Sequence, residues 1–214
     1  MRQLIIIAAL ILTACPCVRS ITMRDIFTQM PDTLFPYMTE TNKLDMLDFL
    51  DSGMKAIAID EFGDSLRLDT VTDNYLRMTT SPASYVEMKL LPLYTDTAET
   101  PTMIVCMVKT YGQTVKESTI KCYTAEFVPL DIDAGDVAAT ELTVKPDTMD
   151  AETYAEACAL LSPAMLWARL SPEDNSLTVS LYTFALTEEE RRQVSAMVTA
   201  RRLVWNGHTF ATGQ

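Results

Sequence analysis

The order of apolar and polar positions divides the chain into an apolar leader, a short helical stretch and a long region of alternating residues. Leu4 to Leu12 is an unbroken apolar run behind Met1-Arg2-Gln3. As a helix it would reach about 14 Å against a hydrocarbon core of about 30 Å, so it is too short to span a bilayer. A positive start followed by a short apolar run predicts an export signal.

Helical patterning begins at Thr22, where Thr22 to Asp25 has the form of a capping box with Asp in place of Glu. Ile26, Phe27 and Met30 then share one side of a helix that Pro31 stops. A further turn starts near Asp32, with Pro36 close to its beginning. Asn42 is placed to cap a helix through Asp51, with Leu44, Leu47 and Leu50 inward and Asp45 and Asp48 outward.

From Met54 the period shortens to two. Candidate strands are 56–60, 65–71, 75–80, 85–93, 103–110 and 119–127, joined by short turn-rich links. Consecutive strands without intervening helices predict a mainly antiparallel meander. The second half repeats the scheme on a smaller scale. Asp150 caps a helix to about Leu161, with Tyr154, Cys158 and Leu161 on one side, and a hairpin follows over 165–170 and 177–184. Thr187 and Glu190 form a full capping box for a helix to about Ala200. Asn206-Gly207 then predicts a two-residue hairpin turn between 202–205 and 208–211. Ser81-Pro82 and Ser171-Pro172 occupy matching places in two hairpins, the trace an internal duplication would leave. The expectation is an α+β fold: export segment 1–14, linker 15–22, and one domain 23–214 whose two sub-halves meet near 130–150.

Composition narrows the function. The chain has 214 residues, 48% hydrophobic and 21% charged, the profile of a folded domain able to build its core without metal or disulfide support. A net charge of −12 repels nucleic acid and anionic head groups, so no nucleic-acid partner is expected. The pairs Arg191-Arg192 and Arg201-Arg202 read as the outer face of a helix and the start of a strand.

Leu12-Thr13-Ala14-Cys15 has the order of a lipobox, an aliphatic residue and two small ones before the cysteine whose thiol is acylated. Several acyl chains at Cys15 would turn marginal membrane association into stable anchoring. Ordinary cleavage between Thr13 and Ser20, with Cys15 and Cys17 incidental, is the other reading. Beyond these lie Cys106, Cys122 and Cys158. A hairpin centred near Thr114 sets Cys106 opposite Cys122, where a cross-strand disulfide is sterically open; three small buried thiols are the alternative.

Candidate chemistry is sparse. The one histidine, His208, sits beside a turn, and six glycines leave little room for a phosphate loop. Asp131-Ile132-Asp133-Ala134-Gly135-Asp136 has the alternating carboxylates of a calcium loop, but glycine falls at position five and Leu142 stands where the bidentate glutamate belongs. Asp45, Asp48 and Asp51 mark a solvated helix face. Trp167 and Trp205 could stack sugars but have the apolar neighbours of core residues. No cofactor or metal is expected.

Met23-Arg24-Asp25-Ile26-Phe27, Met30-Pro31-Asp32, Leu44-Asp45-Met46-Leu47-Asp48-Phe49-Leu50-Asp51, Glu87-Met88-Lys89-Leu90-Leu91-Pro92 and Val105-Cys106-Met107-Val108-Lys109-Thr110 together resemble a family of exported Bacteroidales proteins, domain of unknown function 3256. The resemblance spans nearly the whole mature chain and implies an envelope or secreted location, without an activity. The sequence thus predicts an exported non-enzymatic module, outer-membrane lipoprotein or periplasmic or secreted, that binds a protein or glycan through its sheet face or terminal hairpin. The alternative is a carboxylate-based hydrolase acting on a surface glycan. Two unneutralised carboxyls in a cleft would favour the enzyme, and an exposed apolar patch the binder.

Overall fold

The computed structural model describes residues 20–35, 38–59, 65–95, 100–132 and 137–212. The leader with Cys15 and Cys17, Pro36, and most of the calcium-like run, 133–136, lie outside them. α1 (Met23–Gln29) opens on the expected capping box, Thr22 with Asp25, and buries Met23, Ile26 and Phe27. α2 (Glu40–Asp51) is capped by Thr39 rather than Asn42, whose own N–H is the group that Thr39 Oγ1 accepts from at 3.2 Å. The inward stripe is therefore Lys43, Met46 and Leu47, and Leu44, expected inside, is 47% exposed. Lys43 covers apolar surface with its stem while its ammonium donates to the Met30 carbonyl.

The strands β1 (Ala56–Ile59), β2 (Ser65–Val71), β3 (Tyr75–Ser81), β4 (Ser84–Leu93), β5 (Thr102–Tyr111), β6 (Glu117–Thr124) and β7 (Pro129–Leu130) form one antiparallel sheet in sequence order. β6 stops at Thr124 instead of running to Phe127. Thr124 Oγ1 accepts from the Glu126 and Val128 N–H groups, and Phe127 turns the chain in the left-handed region at φ 62°. Its ring drops onto the helix-side core beside Tyr123.

A second sheet follows α3 (Ala151–Leu160), capped by Asp150 as expected. β8 (Leu166–Leu170), β9 (Ser176–Leu181), β10 (Arg201–Trp205) and β11 (Phe210–Thr212) are ordered β11-β10-β9-β8, with α4 (Glu188–Ser195) between β9 and β10. α4 carries the expected Thr187–Glu190 box but ends at Ser195. Met197 to Thr199 is drawn off into backbone bonds with Leu142 and Val144. The last hairpin also differs from expectation: Trp205 pairs with Phe210, so 206–209 is a four-residue loop rather than a two-residue turn. Asn206 Oδ1 accepts from the His208 and Thr209 N–H groups, and Gly207 at φ 101° brings its backbone against the Tyr94 ring. The two Ser-Pro turns differ in length, two residues between β3 and β4 and five between β8 and β9.

Strand alternation gives the large sheet two faces, each covered over part of its width. Leu66, Met78, Met88 and Val105 meet α1 and α2. Tyr75, Leu91, Ile104 and Cys106 meet Leu170, Val179 and Trp205 of the small sheet. α3 and α4 share a third, smaller cluster around Ala157, Val194 and Met197. No helix among the described residues is long and apolar enough to cross a membrane.

Candidate binding surface

The small sheet meets the large one through the open edge of β8. The Ser171 N–H bonds to the Ser176 carbonyl, which turns odd-numbered residues of β8 toward β9 and leaves the N–H groups of Ala168 and Leu170 facing away. Side chains of the large sheet take the place of the missing strand. Ala168 N–H donates to Ser118 Oγ at 3.1 Å and Leu170 N–H to Glu87 Oε2 at 3.2 Å. The Trp167 indole N–H donates to the Tyr85 hydroxyl at 2.7 Å.

Glu87 and Lys89 are the unusual members of this interface, at 2% and 0% exposure. Glu87 also accepts from the Tyr75 hydroxyl at 2.9 Å and from Arg77 at 3.4 Å. Burial raises its carboxyl above the ordinary range, against the pull of the Tyr75 hydrogen bond and the Arg77 charge. Burial and the adjacent carboxylate push the Tyr75 phenol up in turn. Lys89 donates to the Pro172 carbonyl at 3.1 Å and Asn74 Oδ1 at 3.4 Å, and burial lowers its ammonium. These groups are consumed in joining the sheets. The Glu87 and Asp69 carboxylates both pair with Arg77, so this acid pair lacks the unneutralised cleft a hydrolase needs.

Around the Trp167–Tyr85 bond the surface carries a strip of rings and cations. Trp167 meets Tyr182 edge-on at 6.1 Å, and Tyr182 meets Phe184 at 5.4 Å. Arg77 lies 4.5 Å from the Tyr85 centroid, Arg169 4.4 Å from Trp167, and Arg191 5.2 Å from Phe184. Lys116 stands between the first two rings, at 5.6 and 5.7 Å. Exposure increases along the strip from Tyr85, which is buried, to Phe184, which is 61% exposed. A groove of about 220 Å³ continues it, lined by Val115, Pro163, Met165, Tyr182 and Leu186.

The sequence-predicted residues fall into three groups. Trp167 joins the strip, whereas Trp205 is buried and donates to the Pro92 carbonyl. Arg191 leaves the solvated helix face expected of it and folds back to the Leu186 carbonyl and the Phe184 ring, while Arg192 stays outside with Glu188. Asp45, Asp48 and His208 are exposed and Asp51 pairs with Arg24. Among the described residues no group of three His, Cys, Asp or Glu is placed to hold a metal. Tyr85, Lys116 and Phe184 escaped sequence reasoning. The outward phase of Trp167 and Arg169 on β8 was the one signal available.

Cys106 and Cys122 are in register across β5 and β6, buried, and free thiols. Thr124 N–H donates to the Val128 carbonyl, so even-numbered residues of β6 direct their backbone groups toward β7. The cysteines are therefore a non-hydrogen-bonded pair, for which strand geometry brings Cα atoms to about 4.5 Å. The hydrogen bond between the two thiols, together with burial, holds Cys106 well above the ordinary thiol range.

Fold and surface together define the class of molecule: an α+β domain whose antiparallel sheet is flanked by helices and a smaller sheet, with an aromatic–cationic strip at their junction. The chain belongs to the family described as "Protein of unknown function (DUF3256)", which it matches over residues 17–210. It is similar to a domain of an uncharacterized protein from Porphyromonas gingivalis W83, with a TM-score of 0.71 and 22% identity over 89% of this chain and 97% of that one. At that identity the likeness shows the fold alone. No curated protein matches the chain.

Proposed function

We propose that the chain is a non-enzymatic binding module of a Bacteroidales cell envelope, exported by its leader, tethered through acylated Cys15, and engaging a protein or glycan through the strip formed by Tyr85, Trp167, Tyr182 and Phe184. The observation that carries this is the strip itself, exposed at Phe184, along which a chain of charge −12 sets Lys116 and Arg169 against Trp167 and Arg191 against Phe184. Trp, Tyr and Arg are the residues that dominate binding hot spots. The buried acid, Glu87, is occupied by Arg77, Tyr75 and the β8 backbone, which weighs against the hydrolase reading.

A photo-cross-linking amino acid at position 184, expressed in the native cell, tests the proposal. A discrete adduct is expected from position 184 and none from a control at Glu126, exposed on the turn between β6 and β7. Equal adduct patterns from both positions would remove the strip as a binding surface.

A further inference from the structure

We infer that the strip takes an acidic polypeptide segment in which carboxylates alternate with apolar side chains, rather than a polysaccharide; this rests on the strip being the binding surface. Three observations separate the two ligands.

The first concerns the ring faces. A pyranose stacks on an open aromatic face, but Trp167 already has Arg169 at 4.4 Å and Lys116 at 5.7 Å, Tyr85 has Arg77 at 4.5 Å, and Phe184 has Arg191 at 5.2 Å. Three of the four rings thus already carry a cation, Tyr182 being the exception, and guanidinium groups so held match carboxylates in a planar fork.

The second is charge. Arg77 is balanced by Asp69 and Glu87, whereas Lys116, Arg169 and Arg191 form no carboxylate ion pair among the described residues. Arg191 spends its Nη2 on the Phe184 and Leu186 carbonyls, so its fixed position does not depend on a carboxylate of this chain. Three cations outside any such ion pair, Arg169 being within reach of the buried Glu87 charge, attract an acidic partner locally in a molecule whose net charge of −12 repels it elsewhere, which favours docking at the strip.

The third is the groove that continues from Tyr182. Val115, Pro163, Met165 and Leu186 make its lining mainly apolar, with Ser162 the one hydroxyl beside that of Tyr182, so a hydroxyl-rich chain entering there would replace few of its hydrogen bonds to water. Apolar side chains lose nothing. Strand addition along Ala168 to Leu170 is closed, because Ser118 and Glu87 already hold those two outward N–H groups. Recognition therefore runs through side chains: carboxylates on Lys116, Arg169 and Arg191, apolar residues in the groove.

The test measures fluorescence anisotropy of three labelled probes with the purified mature protein: a peptide of alternating Glu and Leu, its Lys–Leu counterpart, and oligogalacturonate. The Glu–Leu peptide is expected to bind and to be weakened by Arg169→Glu, the Lys–Leu peptide, drawn by the net charge of −12, not to be weakened by that substitution, and oligogalacturonate to bind at least about tenfold more weakly than the Glu–Leu peptide. Arg169→Glu and Phe184→Ala alter exposed side chains, so the fold is retained, and each should weaken the Glu–Leu peptide roughly tenfold. Raising the salt should weaken it further. Oligogalacturonate binding as tightly as the peptide, or peptide binding unmoved by both substitutions, overturns the inference while a position-184 adduct keeps the strip as a binding surface. Failure of all three probes overturns the peptide inference as well, and only absence of the adduct removes the surface itself.

Discussion

At the scale of single residues, the chemistry of this protein is concentrated in Glu87. Its carboxyl is buried, accepts from Tyr75, Arg77 and the Leu170 N–H, and titrates above its ordinary value because burial outweighs those partners. An acid whose folded value is raised binds its proton more tightly folded than unfolded. Its contribution to stability is therefore full below the unfolded value of about 4.3 and is lost as pH rises through the folded value. Glu87→Gln removes that titration while keeping an acceptor for Leu170. Urea midpoints measured from pH 4 upward should show the wild type losing stability relative to the Gln variant; a wild type that gains on it would contradict the assigned burial. Glu87→Ala leaves the Leu170 N–H without a partner and should cost about 1–3 kcal/mol at any pH.

At the scale of elements, the pairing of β5 with β6 sets the fate of two cysteines. Alternation over 103–110 and 119–127 in the sequence sufficed to place Cys106 opposite Cys122, and the observed register agrees. Formation of the disulfide remains our proposal for an oxidising compartment: two thiols lose two protons and two electrons to a thiol–disulfide oxidoreductase before the sheet closes. Denatured, unreduced protein recovered from the native cell should then take up iodoacetamide at Cys158 and at neither Cys106 nor Cys122, and at all three of these positions after reduction. Equal labelling with and without reduction would show that the pair stays as thiols. Element ends were less legible than element cores. β6 stops at Thr124 because a hydroxyl and a left-handed Phe127 turn the chain, and α2 begins at Thr39 because its hydroxyl reaches Asn42 N–H. Such terminations depend on one hydrogen bond, which periodicity does not register.

At the scale of the whole molecule, charge and address act together. A domain of net charge −12 is repelled by anionic head groups, so stable residence at a membrane calls for a covalent anchor, which we propose at Cys15. Met23, the first residue of α1, follows Cys15 closely and would hold the domain near the lipid surface. Intact-mass measurement of the exported protein should give a chain beginning at Cys15 and carrying acyl mass, and Cys15→Ser should release it from the membrane fraction. A mature chain without acyl mass would refute the anchor.

Local pattern alone determined much here: the strand meander, the capping boxes at Thr22 and Thr187, the cap at Asp150, and Cys106 opposite Cys122. Each is a matter of residues within one element or one hairpin, where spacing translates directly into geometry. The sequence also carried the apolar run 4–12 and the Leu12-Thr13-Ala14-Cys15 order from which we propose export and anchoring, features of covalent order rather than of folding. Only the tertiary structure brought together the strip that we propose as the binding surface. Tyr85 from β4, Trp167 from β8, and Phe184 and Arg191 flanking the start of α4 come together because the small sheet docks by its β8 edge on Ser118 and Glu87. That docking turns on two backbone N–H groups finding side-chain acceptors far away in sequence, and nothing in the periodicity of either partner announces the other.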